Sequence, residues 1–413
     1  MRVPPMSEIP SAQRWLTLIG IGEDGPAGLG DEAKRLIASA PVVFGGARHI
    51  DLMRPLIKGG AHAWLSPFEK SVEAVLALRG KPTVILASGD PFFYGVGATL
   101  SRHIPVSEMT VIPAASSFSL AASRLGWPLQ DVTILSLHGR PLDLIRPHLH
   151  TGRKILALTS DGQGPADLAY LLQQNGFGQS KLTVLEALGG PSERVSTQKA
   201  ADFALSDIND LNVCGIDVVT SEGARILPLV AGLDDHLFEH DGQITKREIR
   251  AMTLSALAPR RGELLWDIGA GSGSIAIEWM LADPSMRAIA IETSSDRAAR
   301  VRHNAASFGV PGLSVVEGQA PHALAGLPTP DAIFIGGGGS DAGVMEAAIG
   351  GLRKGGRLVA NAVTTEMEAI LLAEHARRGG SLIRIDIARA APIGKMTGWR
   401  PAMPVTQWSW VKE

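Results

Sequence analysis

Three glycines and two carboxylates in the second half of the chain have the types and spacing of a nucleoside site. Asp267-Ile268-Gly269-Ala270-Gly271-Ser272-Gly273 follows the apolar run Leu264-Leu265-Trp266 and leads into Ser274-Ile275-Ala276-Ile277-Glu278-Trp279. Ile275, Trp279 and Ala282 recur at helical spacing, with Ile277 on the flank, so the segment reads as strand, tight turn and helix. Glycines let the backbone come close to a ligand, and N–H groups at the helix start meet its polar atoms. The next apolar run, Ala288-Ile289-Ala290-Ile291, ends in Glu292. That is about twenty residues past the turn, where a carboxylate can accept both hydroxyl protons of a ribose.

Two cofactors share this geometry, a nicotinamide dinucleotide and S-adenosylmethionine (SAM). The turn favours SAM. Gly-Ala-Gly-Ser-Gly with Asp267 two residues earlier is the methyltransferase form, whereas a dinucleotide turn is Gly-x-Gly-x-x-Gly and Ser274 stands at its sixth place. A purely structural turn is the bland alternative, and the spacing to Glu292 argues against it. The expected strand Asp331–Ile335 runs into Gly336–Gly339, not into the Asp/Asn-Pro-Pro-aromatic segment of amino-nitrogen methylation. The single cysteine, Cys214, lies in the other half, so no thiol nucleophile serves this turn. Four glycines leave room for a bulky flat molecule beside the methyl group; a flexible loop is the alternative. An electron-rich substrate carbon needs no enzyme nucleophile, only in-line placement and exclusion of water.

The elements that must position these residues form an α/β chain. With 413 residues, two or three domains are expected. Short strands alternate with helices: Trp15–Gly22, Val42–Gly46, Lys81–Ala87, Thr110–Pro113, Val132–Leu137, Lys154–Thr159 and Leu182–Leu185 read as strands in the first half. Asp31 is read as a helix cap there. Leu227–Gly242 breaks the alternation with polar and acidic residues, so we expect domains at 15–228 and 236–413. Thr245-Lys246-Arg247-Glu248 reads as a capping box, and Ser340 or Asp341 as the cap of a helix at Ala342–Leu352. Helices at Ser295–Ser307 and Glu366–Arg378 and strands at Leu313–Glu317, Lys354–Asn361, Leu382–Ile387 and Val405–Val411 complete the second half.

Net charge of −2 argues against a general nucleic-acid surface. One cysteine excludes an intrachain disulfide and a Cys-rich metal site, and Cys214, in the apolar run Val213–Val219, reads as a buried structural thiol. Residues 1–14 read as a loose tail without the apolar core of a signal peptide, and no run is long enough to span a membrane. A cytoplasmic homo-oligomer is expected.

The first half lacks the Gly269-type turn but carries Ile19-Gly20-Ile21-Gly22, Ala87-Ser88-Gly89-Asp90-Pro91-Phe92-Phe93-Tyr94-Gly95, Pro113-Ala114-Ala115-Ser116-Ser117-Phe118-Ser119 and Ser136-Leu137-His138-Gly139-Arg140. Read on its own, Asp90 caps its turn as often as it binds a ligand. Together these pieces resemble the tetrapyrrole (precorrin) methylases. Residues from about Gly242 resemble the decarboxylating precorrin methyltransferases with a Rossmann-like fold, through Thr245–Arg250, the Gly269 turn, Glu317-Gly318-Gln319-Ala320-Pro321 and Lys354–Val363.

The resemblance implies a tetrapyrrole-methylase-like α/β domain followed by a Rossmann-like class I SAM methyltransferase domain. It implies a multifunctional enzyme of cobalamin biosynthesis acting on a precorrin. Ring carbons 5 and 15 would be methylated and the acetate on carbon 12 decarboxylated. Two SAM sites follow from it: one near Gly89, Asp90, Ser116, Ser117 and Leu137, the other near Thr245, Gly269, Ala270, Gly271, Ser272, Gly273, Glu292 and Ala320. Gln319 stands where these relatives usually carry Asp; it can accept from an adenine amino group but holds no charge. Arg48, His49, Arg140, Arg153, Lys246, Arg247, Arg250, Lys395 and Arg400 are candidate partners for substrate carboxylates, each weighed against an ordinary solvated charge. No catalytic acid or base is singled out and no metal is expected. The rivals are a nicotinamide-dependent oxidoreductase using the Gly269 turn and a non-catalytic tetrapyrrole-binding or RNA-modifying module.

Overall fold

A computed structural model describes residues 14–413, so the tail read at residues 1–14 lies, except for Arg14, outside the described residues. The chain forms two compact units, one of residues up to 142 and 150–225, the other of residues 143–149 and 226–413.

In the first unit, β1 (Leu16–Ile21), β2 (Val42–Gly45), β3 (Gly60–Ala63), β4 (Thr83–Ser88) and β5 (Met109–Ile112) form a sheet of order β3-β2-β4-β1-β5. All of its pairs are parallel. Both faces are covered, which is why β1 and β4 read as unbroken apolar runs. Leu16, Leu18 and Ile85 face one core cluster; Ile19, Ile21, Val84 and Leu86 face the other. A second sheet follows, from β6 (Val132–Ser136), β7 (Lys154–Leu158), β8 (Lys181–Glu186), β9 (Arg194–Lys199) and β10 (Asn212–Asp217), ordered β6-β7-β10-β8-β9. Its β6–β7 pair is parallel and the others antiparallel. Cys214 is fully buried on β10, and burial pushes its thiol pKa up, as suits an inert structural group.

In the second unit, β11 (Leu264–Ile268), β12 (Arg287–Glu292), β13 (Ser314–Glu317), β14 (Ala332–Ile335), β15 (Arg357–Ala362), β16 (Ser381–Ile385) and β19 (Val405–Val411) form one sheet, while β17 (Ala388–Ile393) and β18 (Met396–Pro401) form a separate hairpin. The sheet order is β13-β12-β11-β14-β15-β19-β16. The first five are parallel, and β19 runs antiparallel between β15 and β16. A dinucleotide fold runs 3-2-1-4-5-6 with parallel strands throughout. The inserted antiparallel last strand therefore departs from the oxidoreductase alternative. Strand order reverses between β11 and β14, and open α/β sheets bind ligands beyond the strand ends at such a point.

The segment expected as a boundary belongs structurally to this unit. Leu227, Leu233 and Phe238 lie in its core. Glu278 accepts from the N–H groups of Gly232 and Leu233 at 2.6 and 3.0 Å. Arg250, fully buried, donates to Glu278 at 2.5 Å and to Asp235 at 3.1 Å. That removes Arg250 from the candidate substrate cations.

Three expected caps are corrected. Lys246, not Thr245, occupies the cap position of the helix Arg247–Leu257, without a side-chain bond. Gly30 and Gly343 cap the helices Asp31–Ser39 and Val344–Gly351, so Asp31 lies inside its helix and neither Ser340 nor Asp341 caps the other. No described helix is long and apolar enough to cross a membrane.

Candidate functional sites

The turn after β11 is held from both sides. Gly269 and Ala270 donate their N–H groups to the Ile291 carbonyl at 3.0 and 3.1 Å, which fastens the turn to the end of β12. Gly269 has φ +71°, and a Cβ there would lie 2.5 Å from the Gly337 carbonyl oxygen. Glycine is thus required for the turns after β11 and β14 to touch. Gly271 has φ +60°, a Cβ there would lie 3.1 Å from the Gln243 carbonyl oxygen, and its N–H donates to Glu292 Oε2 at 2.8 Å. Glu292 Oε1 accepts from Ser294 N–H at 3.0 Å. Each carboxylate oxygen keeps a free lone pair for a hydroxyl donor.

A cavity of about 710 Å³ opens here. Thr245, Gly269, Ala270, Gly271, Glu292 and Ala320 line it, as does Gln319. Ser272 and Gly273 do not. Ser272 is buried, Asn304 Nδ2 donates to its carbonyl at 2.9 Å, and Gly273 packs on Val301. Gln319 donates its amide to Asp341 at 3.1 Å. Lys246, Arg297, Asp341, Asn361, Arg389 and Met403 also line the cavity, and of these only Lys246 was read in the sequence as a candidate ligand contact. Asn361 sits at the end of β15 and donates to Thr253 Oγ1 at 3.0 Å, while Gln407 donates to Asn361 Oδ1 at 2.9 Å.

Behind the turn, Asp267 is buried on β11. Oδ2 accepts from Ala276 N–H at 3.1 Å and Oδ1 has no partner. Burial, aided by the nearby Glu292 charge, pushes its pKa up to about 7 against the pull of the Ala276 bond.

The first unit has its own cavity, of about 720 Å³. Strands β1 and β4 run parallel with Ile21 opposite Ser88, so both glycine turns leave the same edge. A Cβ on Gly20 would fall 1.8 Å from the Gly89 carbonyl oxygen. Gly89 donates to the Ile21 carbonyl at 2.9 Å and accepts from Ala114 N–H at 3.1 Å, joining three strand ends. Gly89, Asp90, Ser116 and Ser117 line this cavity; Leu137 does not. Leu137 is buried with its N–H on the Leu158 carbonyl, and the next residue, His138, reaches the cavity instead. Asp90 Oδ1 accepts from Phe92 N–H at 2.8 Å, closing its own turn. Ser116 caps the helix Ser117–Leu125, accepting from Ser119 N–H at 3.1 Å.

Glu23, Arg48, His49 and Ser88 form a polar chain on the cavity wall. Arg48 pairs with Glu23. His49 Nε2 meets Arg48 Nη2 and Ser88 Oγ, each at 2.8 Å. Burial, and then the Arg48 charge, lowers the His49 pKa to about 4, so the ring is neutral near pH 7. With Nε2 accepting from Arg48, the ring proton resides on Nδ1, which is buried without a partner. Thr159 and Asn212, also on the wall, are joined by a 2.5 Å hydrogen bond and were not singled out in the sequence. The only local signal was a polar residue at each strand end.

Comparisons with known proteins match a different family to each half of the chain. A family model described as tetrapyrrole (corrin/porphyrin) methylases matches residues 15–204, and one described as precorrin methyltransferase domain matches residues 236–412. A Sinorhizobium protein named precorrin-6Y C(5,15)-methyltransferase (decarboxylating) is 73% identical over 96% of this chain and 96% of its own length. Two Salmonella typhimurium proteins each match less than half of the chain. One, a cobalt-precorrin-7 C(5)-methyltransferase, is 29% identical over 44% of this chain and 88% of its own. The other, a cobalt-precorrin-6B C(15)-methyltransferase (decarboxylating), is 32% identical over 42% of this chain and 92% of its own. These relatives are methyltransferases by name and do not support the oxidoreductase alternative. On full-length identity and on both family models, the chain belongs to the precorrin-6Y C(5,15)-methyltransferase (decarboxylating) family.

Proposed function

We propose that the protein methylates a precorrin at ring carbons 5 and 15 and decarboxylates its carbon-12 acetate in cobalamin biosynthesis, with one SAM bound in each half. Segment 15–228 takes the carbon-5 methylation, and segment 236–413 the carbon-15 methylation and the decarboxylation. The observation that carries this reading is the pair of separate cavities, of about 720 and 710 Å³, each beside a glycine turn at the end of parallel strands. The two Salmonella relatives, in which the C(5) and the decarboxylating C(15) activities belong to separate proteins, support the same division.

SAM supplies an electrophilic methyl group. In the second half, Gly269, Ala270 and Gly271 would admit it beside the turn, Glu292 would accept from its ribose, and Thr245 and Ala320 would flank it. Ser272 and Gly273 act from behind, by fixing the turn. In the first half, Gly89, Asp90, Ser116 and Ser117 take the corresponding part, with Leu137 holding His138 in place. The protein's task is to align the ring carbon against the methyl group and keep water out. When the acetate loses carbon dioxide, its electron pair passes into the conjugated ring and a proton returns to the side-chain carbon. Apolar side chains that line the cavity, Ile385, Ile387 and Val405 among them, would supply the desolvation that favours this loss.

Calorimetric titration of the full chain with SAM should show two equivalents bound. A single equivalent from fully folded protein would end the two-site reading. Glu292→Ala should weaken one of these sites by about 1.5–3 kcal/mol, the range for a hydrogen bond to a charged group. The other site serves as an internal control. Two unchanged affinities would take Glu292 out of the cofactor site.

A further inference from the structure

The second cavity continues past the cofactor turn to a wall of Ile385, Ile387, Ala402, Met403 and Val405, and the hairpin β17–β18 springs from this wall. Arg389, on β17, lines the cavity at its mouth. Directly opposite it across the hairpin stands Arg400. Opposed residues of an antiparallel pair share a face, and like charges there repel. Arg389 is paired with Glu248, in the first turn of the helix Arg247–Leu257, and both side chains are about half exposed. Arg400 has no carboxylate partner among the described residues. Lys246 lines the same mouth and approaches Asp235 only at 3.9 Å. Arg389 and Lys246 thus line the cavity beside that apolar wall, and Arg400, next to Arg389, adds a cation that no carboxylate of the hairpin's surroundings pairs with. A flat apolar ring system edged with carboxylates complements both features.

We propose that the β17–β18 hairpin is a carboxylate clamp, in which Arg389, with Arg400 beside it, captures peripheral carboxylates of the tetrapyrrole while Glu248 holds Arg389 until substrate arrives. The inference rests on the functional reading above and adds the element and residues that grip the substrate. An exposed ion pair is weak, so the exchange of Glu248 for a substrate carboxylate costs little. Arg389 can hold a carboxylate through two parallel N–H bonds, which fixes the plane of the side chain it grips. A guanidinium on the departing carboxylate would stabilise it and oppose loss of carbon dioxide. The clamp therefore grips carboxylates that are retained and leaves the reacting acetate to the apolar wall.

The test is steady-state kinetics of the full chain with SAM and a reduced precorrin, monitoring decarboxylation. Arg389→Ala should raise KM for the tetrapyrrole about ten- to a hundredfold, the equivalent of one charged hydrogen bond, with kcat within a few-fold. Arg389→Lys should recover part of the loss. Glu248→Gln should lower KM, because it removes the competing anion. SAM affinity should stay within about twofold in all three. If the ion pair merely stabilised the hairpin, Arg389→Ala and Glu248→Gln would shift KM in the same direction, and the clamp would be refuted. An unchanged KM in Arg389→Ala beside an active wild type also overturns the clamp alone. A wild type that binds SAM but modifies no tetrapyrrole overturns the functional reading, and the clamp with it.

Discussion

Gly271→Arg should convert the protein into an enzyme that adds one methyl group and leaves the acetate carboxylate in place. Gly271 faces the second cavity, and its N–H holds Glu292. A long side chain there fills the space in which SAM would lie. A smaller displacement would also be damaging, since about an ångström of misplacement can cost a hundredfold in rate. We expect carbon-15 methylation and decarboxylation to fall together by at least about that factor. The φ of +60° at this position adds local strain. An unchanged urea transition of the second unit separates a blocked site from a misfolded one, and the other half should keep its equivalent of SAM. The readout is the mass of products from SAM and the reduced precorrin. Carbon dioxide release at the wild-type rate would mean that decarboxylation belongs to the first half.

The second large effect is on stability. The Asp267 pKa is about 7 in the folded protein against 3.8 for an unperturbed Asp. Between those values the native state binds a proton that the unfolded chain has lost, so stability falls as pH rises from about 4 through about 7 and levels off above. Each pKa unit corresponds to about 1.4 kcal/mol, which makes the full decline on the order of 4 kcal/mol. Asp267→Asn keeps the acceptor for Ala276 N–H and removes the ionisation. Urea unfolding of the second unit, followed through buried Trp266, Trp279 and Trp408, should show a wild-type decline from pH 4.5 to 8 that the variant lacks to that extent. Equal slopes in the two proteins would mean that Asp267 is ionised throughout.

The parts legible in the sequence are those whose signals are local. A strand buried on both faces must be apolar along its length, so β1, β4, β11, β12 and β14 stood out. The Gly269 turn and Glu292 lie within one strand–helix–strand unit and could be read by spacing alone. The helix Ser295–Ser307 was likewise read end to end. The strands β3 and β9 and the hairpin β17–β18 were missed because their residues are largely exposed and lack an apolar face. Thr245 looked like a cap because Glu248 stands three residues on. In the fold Glu248 faces Arg389 from 141 positions away, a pairing no local pattern encodes. The cavity mouth was hidden for the same reason: Asn361, Arg389 and Met403 reach it only through the late strands of the sheet. Leu137 itself is buried and His138 reaches the cavity, because a strand end alternates its side chains between core and opening.

The contacts made by residues 226–235 bear on how such a two-module gene can be divided. Gly232 and Leu233 satisfy Glu278, and the Leu233 carbonyl and Asp235 satisfy the fork of Arg250. Cutting at residue 236 would strip these partners from two buried charges and open the core where Leu227 and Leu233 sit. A gene fission that yielded two independent proteins would therefore need its break upstream of Ile226. The joint between the modules is inherited with the second one, as its first structural layer.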